Sequence, residues 1–114
     1  MFNVFIQQSA HQKITLFIDY LQDQNYQRFS DTGLFAESAI RSFYLSYTQA
    51  LSDKIYQTLE SLLSTNLVYG RRQDPEHLET FTCITRVDNY LLILDYKEDD
   101  EQQARFVYDI KIMR

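Results

Sequence analysis

The last third of the chain contains three successive segments whose composition and periodicity are typical of β-strands. Residues 78–87 combine β-branched and aromatic side chains, which suit the half-buried surface of a pleated sheet. Residues 90–96 are apolar at nearly every position, a pattern that predicts a central strand covered on both faces. Residues 106–113 alternate with period two, which predicts one apolar and one mixed face. The predicted apolar face consists of Phe106, Tyr108, Ile110 and Ile112.

Two short polar stretches separate these three segments. Residues 87–89 include Asp88 and Asn89, which tolerate left-handed backbone conformations and therefore predict a tight turn. Residues 97–103 are charged or amide-bearing throughout, so they are interpreted as a solvated hairpin loop that buries nothing. The tail of the chain therefore predicts an antiparallel meander of three strands.

The front of the chain predicts a short strand followed by an amphipathic helix. Residues 2–7 place apolar side chains at every second position, as a strand with one buried face does. Ser9 is a candidate N-cap for a helix that ends near Asn25, and residues 26–33 are interpreted as a connection. The apolar stripe of this helix consists of Ala10, Ile14, Phe17, Ile18 and Leu21.

A second, longer helix is predicted over residues 34–65, where no Pro or Gly interrupts the pattern. Unbroken, it would extend for about 48 Å, which exceeds what a small sheet covers. Ser52 and Asp53 offer the alternative of a cap that begins a separate third helix, so one helix or two remain open. The apolar stripe consists of Ala36, Ile40, Phe43, Tyr47, Leu51, Ile55, Leu59 and Leu62.

The composition restricts the class of protein. At 114 residues, with 45% hydrophobic content, the chain forms one domain, residues 1–114, around a single core. The net charge of −5 opposes a broad attraction to phosphates, so direct binding of free nucleic acid is not expected. No apolar run is long enough to span a bilayer, and no basic leader precedes residues 2–7. We therefore expect a cytoplasmic protein without membrane association.

The sulfur and imidazole groups indicate neither a disulfide framework nor a metal site. Cys83 is the one cysteine and lies within a predicted strand, where a small buried hydrophobic role is the simplest interpretation. His11 and His77 are isolated from other ligating side chains at metal-binding spacing. The sequence therefore predicts no metal and no other cofactor.

The predicted order is strand, helix, helix and three strands, and several local motifs accompany it. With that order they resemble the RelE/ParE superfamily, the toxins of type II toxin–antitoxin modules. The likeness covers the whole chain in element order and residues 66–114 in motif. It implies an α+β fold of the form β-α-α-β-β-β, in which two long helices pack on a small, mainly antiparallel sheet. The motifs are Gly70-Arg71-Arg72, Leu78-Glu79, Arg86-Val87-Asp88-Asn89-Tyr90, Ile93-Leu94-Asp95-Tyr96 and Ile110-Lys111-Ile112-Met113-Arg114.

This resemblance implies a toxin, or a toxin-derived protein, that binds a macromolecular target and is neutralised by a cognate antitoxin. Leu91 stands where many relatives have Arg, no Tyr follows Arg114, and the chain is acidic. These departures favour inhibition of DNA gyrase, as in the ParE branch, over messenger RNA cleavage. Two alternatives remain open. One is a non-toxic module of the same fold that forms a homodimer, and the other is a ribosome-dependent mRNA endonuclease.

The resemblance and the charge pattern together define candidate site residues. Cleavage of RNA would need cations that stabilise the phosphorane, and Arg86, Lys111 and Arg114 are the catalytic candidates. Strand arginines beside acidic neighbours are also commonly solvated or ion-paired, which is the structural alternative. The target-binding candidates are Arg71, Arg72, Arg86 and Arg114. The partner-binding candidates, on a wide aromatic helix surface, are Tyr44, Tyr47 and Tyr56.

Overall fold

The computed structural model describes residues 1–30, residue 33 and residues 37–114, without the side chains of residues 29, 30 and 37. These residues form two α-helices and a mixed five-stranded sheet that does not close, so the predicted α+β class is confirmed. The helices are α1 (Gln8–Ser30) and α2 (Glu37–Leu63). The strands are β1 (Asn3–Ile6), β2 (Arg72–Gln73), β3 (Thr80–Val87), β4 (Tyr90–Asp99) and β5 (Ala104–Met113).

The sheet is built around the predicted C-terminal meander. Its strand order is β1-β5-β4-β3-β2, with β1 parallel to β5 and every other pair antiparallel. Val87 pairs with Tyr90, and Asp88 adopts a left-handed φ of 52°, which confirms the tight turn predicted between β3 and β4. A strand was not predicted at β2, because two residues are too short to show any periodicity.

A β-bulge in β5 overturns part of the predicted apolar face. Asp95 pairs with Asp109, but Tyr96 pairs with Val107, so Tyr108 has no partner on β4. The extra residue changes which side chains face the core on its two sides. Val107 and Ile110 are therefore both buried in the core, although they are three residues apart. The prediction was therefore wrong for two residues. Phe106 and Tyr108 lie on the opposite face of the sheet and are only partly buried.

Both helices pack on the same face of the sheet. Tyr90, Leu92, Leu94 and Tyr96 on β4 point into this core, whereas the side chains between them are only partly buried. The prediction that β4 is covered on both faces is therefore wrong. Its second face, which we call the outer face of the sheet, carries apolar residues that no described element covers.

The helices differ from their predicted bounds. Helix α1 continues to Ser30, because no glycine or proline follows Asn25 until Gly33. Helix α2 is continuous through Ser52, so a separate third helix is wrong. The predicted start of the second helix at residues 34–36 lies outside the described residues. Of the remaining predicted stripe positions, Leu51, Ile55 and Leu59 are buried in the core, whereas Phe43 and Tyr47 are exposed.

The single cysteine behaves as a small buried hydrophobic residue, as predicted. Cys83 lies on the core face of β3 and is buried. Burial, with a smaller contribution from the nearby Asp95 carboxylate, raises the pKa of its thiol to about 11. Because the thiolate is the reactive form, the side chain is inert near neutral pH.

We expect Leu59→Ala on α2 to lower the free energy of unfolding much more than Leu16→Ala on α1. Leu59 is 0% exposed in the core, so its truncation should lower the free energy of unfolding by about 2–5 kcal/mol. Leu16 is 68% exposed on α1, and the same substitution there should change it by about 0.5 kcal/mol or less. Urea denaturation followed by circular dichroism measures both values. Equal losses would contradict the packing of α2 on the sheet.

Candidate functional site

A buried ion cluster lies where α2 ends against the sheet. Arg105 on β5 is 0% exposed, and its Nε donates to the Glu98 Oε1 on the neighbouring strand at 2.8 Å. Arg71, from the segment before β2, donates to the same oxygen from its Nη1 at 2.8 Å. One carboxylate therefore pairs with two guanidinium groups, which leaves one positive charge uncompensated. We call Arg71, Glu98 and Arg105 the ion cluster.

Arg105 also satisfies the carbonyl groups at the end of α2. Its Nη1 donates to the carbonyl oxygens of Leu63, at 2.8 Å, and of Thr65, and its Nη2 donates to that of Asn66 at 3.1 Å. A helix leaves its last carbonyls without intrahelical partners, so the bond to Leu63 caps α2, and the other two hold the segment that follows the helix. The guanidinium lies 3.7 Å from the centre of the Phe2 ring, which covers it from the β1 side.

The two arginines keep the side chain of Glu98 in its ionised, anionic form. Burial alone would raise the pKa of Glu98, but the hydrogen bonds from Arg105 and Arg71 outweigh it, and the net pKa is lowered. The prediction that residues 97–103 bury nothing is wrong at Glu98, whose side chain is only 9% exposed. A carboxylate can be buried here because two arginines donate hydrogen bonds to it. The residues next to Glu98 in the sequence do not indicate this pairing.

Two of the ion-cluster residues were not among the predicted site residues. Arg105 precedes Val107 on the core face of β5, and Glu98 faces it across the hairpin. An arginine in phase with an apolar strand face, opposite an acidic residue, is a sequence signal that would have identified the pair. Arg71, predicted as a target-binding residue, stacks at 3.9 Å on the Phe81 ring and belongs to this structural cluster.

A cleft of about 660 Å³ lies between the two helices and the end of β5, and we call it the helix-pair cleft. Four of its side chains are aromatic and two are arginines, and no Asp or Glu is among the described residues that line it. This composition contrasts with the net charge of −5 of the whole chain. The lining residues are Leu21, Gln24, Asn25, Gln27, Arg28, Phe43, Tyr44, Tyr47, Tyr90 and Arg114.

Contacts at the base of the helix-pair cleft hold its aromatic wall in place. Tyr90 packs edge-on against Phe17 of α1, with ring centres 5.0 Å apart. Burial raises the pKa of the Tyr90 hydroxyl, the neighbouring Tyr47 raises it further, and the positive charge of Arg114 opposes both. Tyr47, Tyr90 and Arg114 all line this cleft.

A second cleft, of about 580 Å³, separates α2 from the free end of β3, and we call it the strand-edge groove. Its walls carry two cations, Lys54 and Arg86, and one carboxylate, Asp88. Lys54 Nζ lies 3.3 Å from the Asp88 Oδ1, which links α2 to the β3–β4 turn. The lining residues are Lys54, Gln57, Thr58, Ser61, Leu62, Arg86, Val87 and Asp88.

The structure distributes the three catalytic candidates over different surfaces. Arg114 lines the helix-pair cleft, and Arg86 lines the strand-edge groove. Lys111 is exposed on β5 and pairs in register with Ile93, on the outer face of the sheet. No described cleft contains two of these three cations.

The remaining predicted site residues fall into separate positions. Tyr44 and Tyr47 line the helix-pair cleft, as does Arg114, so two partner-binding candidates and one target-binding candidate come together. Tyr56 lies apart from them, with its hydroxyl 2.7 Å from the His11 Nδ1 and its ring against the core. Arg72 is exposed on β2, at the edge of the sheet.

Comparisons with known proteins found no match for this chain among models of protein families, curated proteins or solved structures. Within the described residues, no group of three His, Cys, Asp or Glu side chains is arranged to hold a metal ion. Neither helix, over the same residues, has an apolar stretch that could cross a membrane. The relation to the RelE/ParE superfamily therefore stays a prediction from motifs and element order.

We expect Glu98→Gln to destabilise the fold by about 3 kcal/mol at pH 7, because it leaves Arg105 buried without a counter-charge. Because the pKa of Glu98 is lowered in the folded state, its contribution is complete above about pH 4.3, the value of an unfolded glutamate. It is lost as the pH falls through the folded-state value. The difference between wild type and variant should therefore shrink in acid.

Urea denaturation at pH 7 and at successively lower pH measures this difference. Glu79→Gln, at an exposed position just before β3, is the matched control and should leave the free energy of unfolding within about 0.5 kcal/mol. A Glu98→Gln gap that stays constant down to pH 2 would show that the carboxylate charge has no role in stability.

Proposed function

We propose that this chain binds another macromolecule as a toxin, or toxin-derived component, of a type II toxin–antitoxin module of the RelE/ParE kind. It acts by protein binding, as in the ParE branch that inhibits DNA gyrase, and a cognate antitoxin neutralises it. The helix-pair cleft is the surface that the antitoxin covers and that the target also requires.

The observation that carries this proposal is the convergence of Tyr44, Tyr47 and Arg114 in one cleft. The two tyrosines come from α2 and the arginine from the end of β5, so the fold, rather than sequence proximity, assembles them. Tyrosine and arginine are the residue types that dominate the binding energy of protein interfaces, because each combines a flat apolar surface with hydrogen-bond donors. Their grouping favours a protein partner.

The charge of the cleft favours an acidic partner segment. Arg28 and Arg114 supply two guanidinium groups, and each can receive a carboxylate through two parallel hydrogen bonds. The chain as a whole has a net charge of −5 and repels acidic side chains, whereas the positive surface of this cleft attracts them.

The arrangement of elements is consistent with the resemblance. Apart from the short strand β2, a strand, two long helices and three long strands follow one another in the predicted order. A fold by itself does not define an activity, so the proposal depends on the cleft and not on the element order.

The distribution of the basic residues favours binding over cleavage. Cleavage of RNA needs its catalytic side chains grouped around one scissile phosphate, each within about 3 Å of the atom on which it acts. Arg86, Lys111 and Arg114 lie on three different surfaces, so they do not form one such site.

Expression of the chain in bacteria tests the proposal directly. We expect induction of the chain alone to arrest growth, and co-expression of the small reading frame beside its gene to restore growth. Colony counts after induction measure both effects. Normal growth under both conditions would contradict a toxic function, and arrest without rescue would contradict neutralisation by that partner.

We expect Arg114→Glu to abolish growth arrest, because a carboxylate in the helix-pair cleft repels the acidic group that the arginine receives. Loss of a central arginine contact lowers affinity by about 30-fold. Lys97→Glu makes the same charge change at an exposed position on β4 outside this cleft and should leave arrest intact. Both variants are first compared with wild type in thermal unfolding, and equal toxicity of folded Arg114→Glu would remove the cleft from the function.

A further inference from the structure

The edge of β3 is only partly covered by β2. Gln73 pairs with Phe81 and Arg72 pairs with Thr82, and β2 ends there. Strand β3 continues for five more residues to Val87. Along this continuation no strand of the described chain lies on the side away from β4. The sheet therefore ends in a stretch of free edge.

The direction of the peptide groups along this edge follows from the pairing. The Thr80 carbonyl accepts a hydrogen bond from the Asp74 amide at 2.9 Å, so the Thr80 peptide faces away from β4. Peptide groups alternate along an antiparallel strand, so those of Ile84 and Arg86 face the same way. The described residues supply no hydrogen-bond partner for these two amides and two carbonyls.

Helix α2 stands opposite this edge, across the strand-edge groove. A strand added to β3 would lie about 4.8 Å from it and would reach the groove at Arg86 and Val87, the β3 residues that line it. Leu62 and Thr58 are partly buried on the α2 side and offer a floor for side chains that point toward the helix.

We infer that the strand-edge groove binds an extended, acidic segment of another polypeptide, which joins the sheet as a sixth strand beside β3. Its main chain forms up to four hydrogen bonds with the peptide groups of Ile84 and Arg86. Its side chains alternate, with apolar groups toward Leu62 and carboxylates toward Arg86. This binding does not depend on the toxin function proposed above.

The charges of the groove select this occupant over a second copy of the chain. Lys54 and Arg86 outnumber Asp88, so the groove carries one excess positive charge. Pairing of two β3 edges around a twofold axis would bring the arginines and lysines of both copies together. Positive side chains on a free edge oppose such self-pairing, and they attract an acidic strand.

A titration of the full, ¹⁵N-labelled chain with a defined peptide tests the inference. The probe is an acetylated, amidated eight-residue peptide of alternating valine and glutamate. We expect saturable amide shifts at Ile84, Arg86 and Ser61, and hydrogen exchange slowed at least about tenfold at the Ile84 and Arg86 amides. The control peptide is N-methylated at every residue, so it cannot donate main-chain hydrogen bonds in either strand direction, and it should not bind.

Two pairs of variants separate main-chain pairing from charge. Ile84→Pro removes an amide that faces away from β4, so it should spare the β3–β4 ladder and weaken peptide binding about tenfold. Ile84→Val keeps the amide and should retain binding. Arg86→Glu should weaken binding by a similar factor, whereas Lys97→Glu, outside the groove, should not.

Four results would overturn the inference. The first is the absence of shifts in the groove at millimolar peptide, and the second is binding that places the shifts on other surfaces. The third is a concentration-dependent shift of Ile84 without peptide, which would identify a second copy of the chain as the occupant. Equal affinity of folded Ile84→Pro and wild type would likewise exclude strand addition.

Discussion

Arg105 is the one charged side chain that is completely buried within the described part of the fold, and its neutralisation constrains everything around it. Removing a guanidinium from water costs several kcal/mol unless each donor finds a partner. Glu98, Phe2 and the carbonyls at the end of α2 meet this requirement together. Three separate parts of the chain must therefore reach one point before the charge is satisfied.

The position of α2 follows from this requirement. Its last turn is held by Arg105, and the carbonyl of Ser64 also accepts a hydrogen bond from the Phe2 amide at 3.0 Å, which joins α2 to β1. The same helix supplies one wall of the helix-pair cleft through Tyr47 and one wall of the strand-edge groove through Lys54. Through α2, both clefts are thus connected to the helix end that Arg105 holds.

The two clefts suit different kinds of partner. The helix-pair cleft is aromatic and carries two arginines, which favours anchoring of a few acidic or aromatic side chains. The strand-edge groove offers main-chain donors and acceptors along one wall, which favours an extended backbone. Because both clefts are cationic on an acidic chain, long-range repulsion leaves few sites where an acidic partner can dock.

The sequence by itself determined the helices, the long strands and the turn at Asp88, because short-range periodicity and turn chemistry specify such elements. It also identified Tyr44, Tyr47 and Arg114 as candidates, without showing that they meet. Only the tertiary structure decided the bulge at Tyr108, the short strand β2 and the burial of Glu98 with Arg105. Each of these depends on a partner distant in sequence, and no local pattern encodes the energy of a contact formed only when the chain has folded.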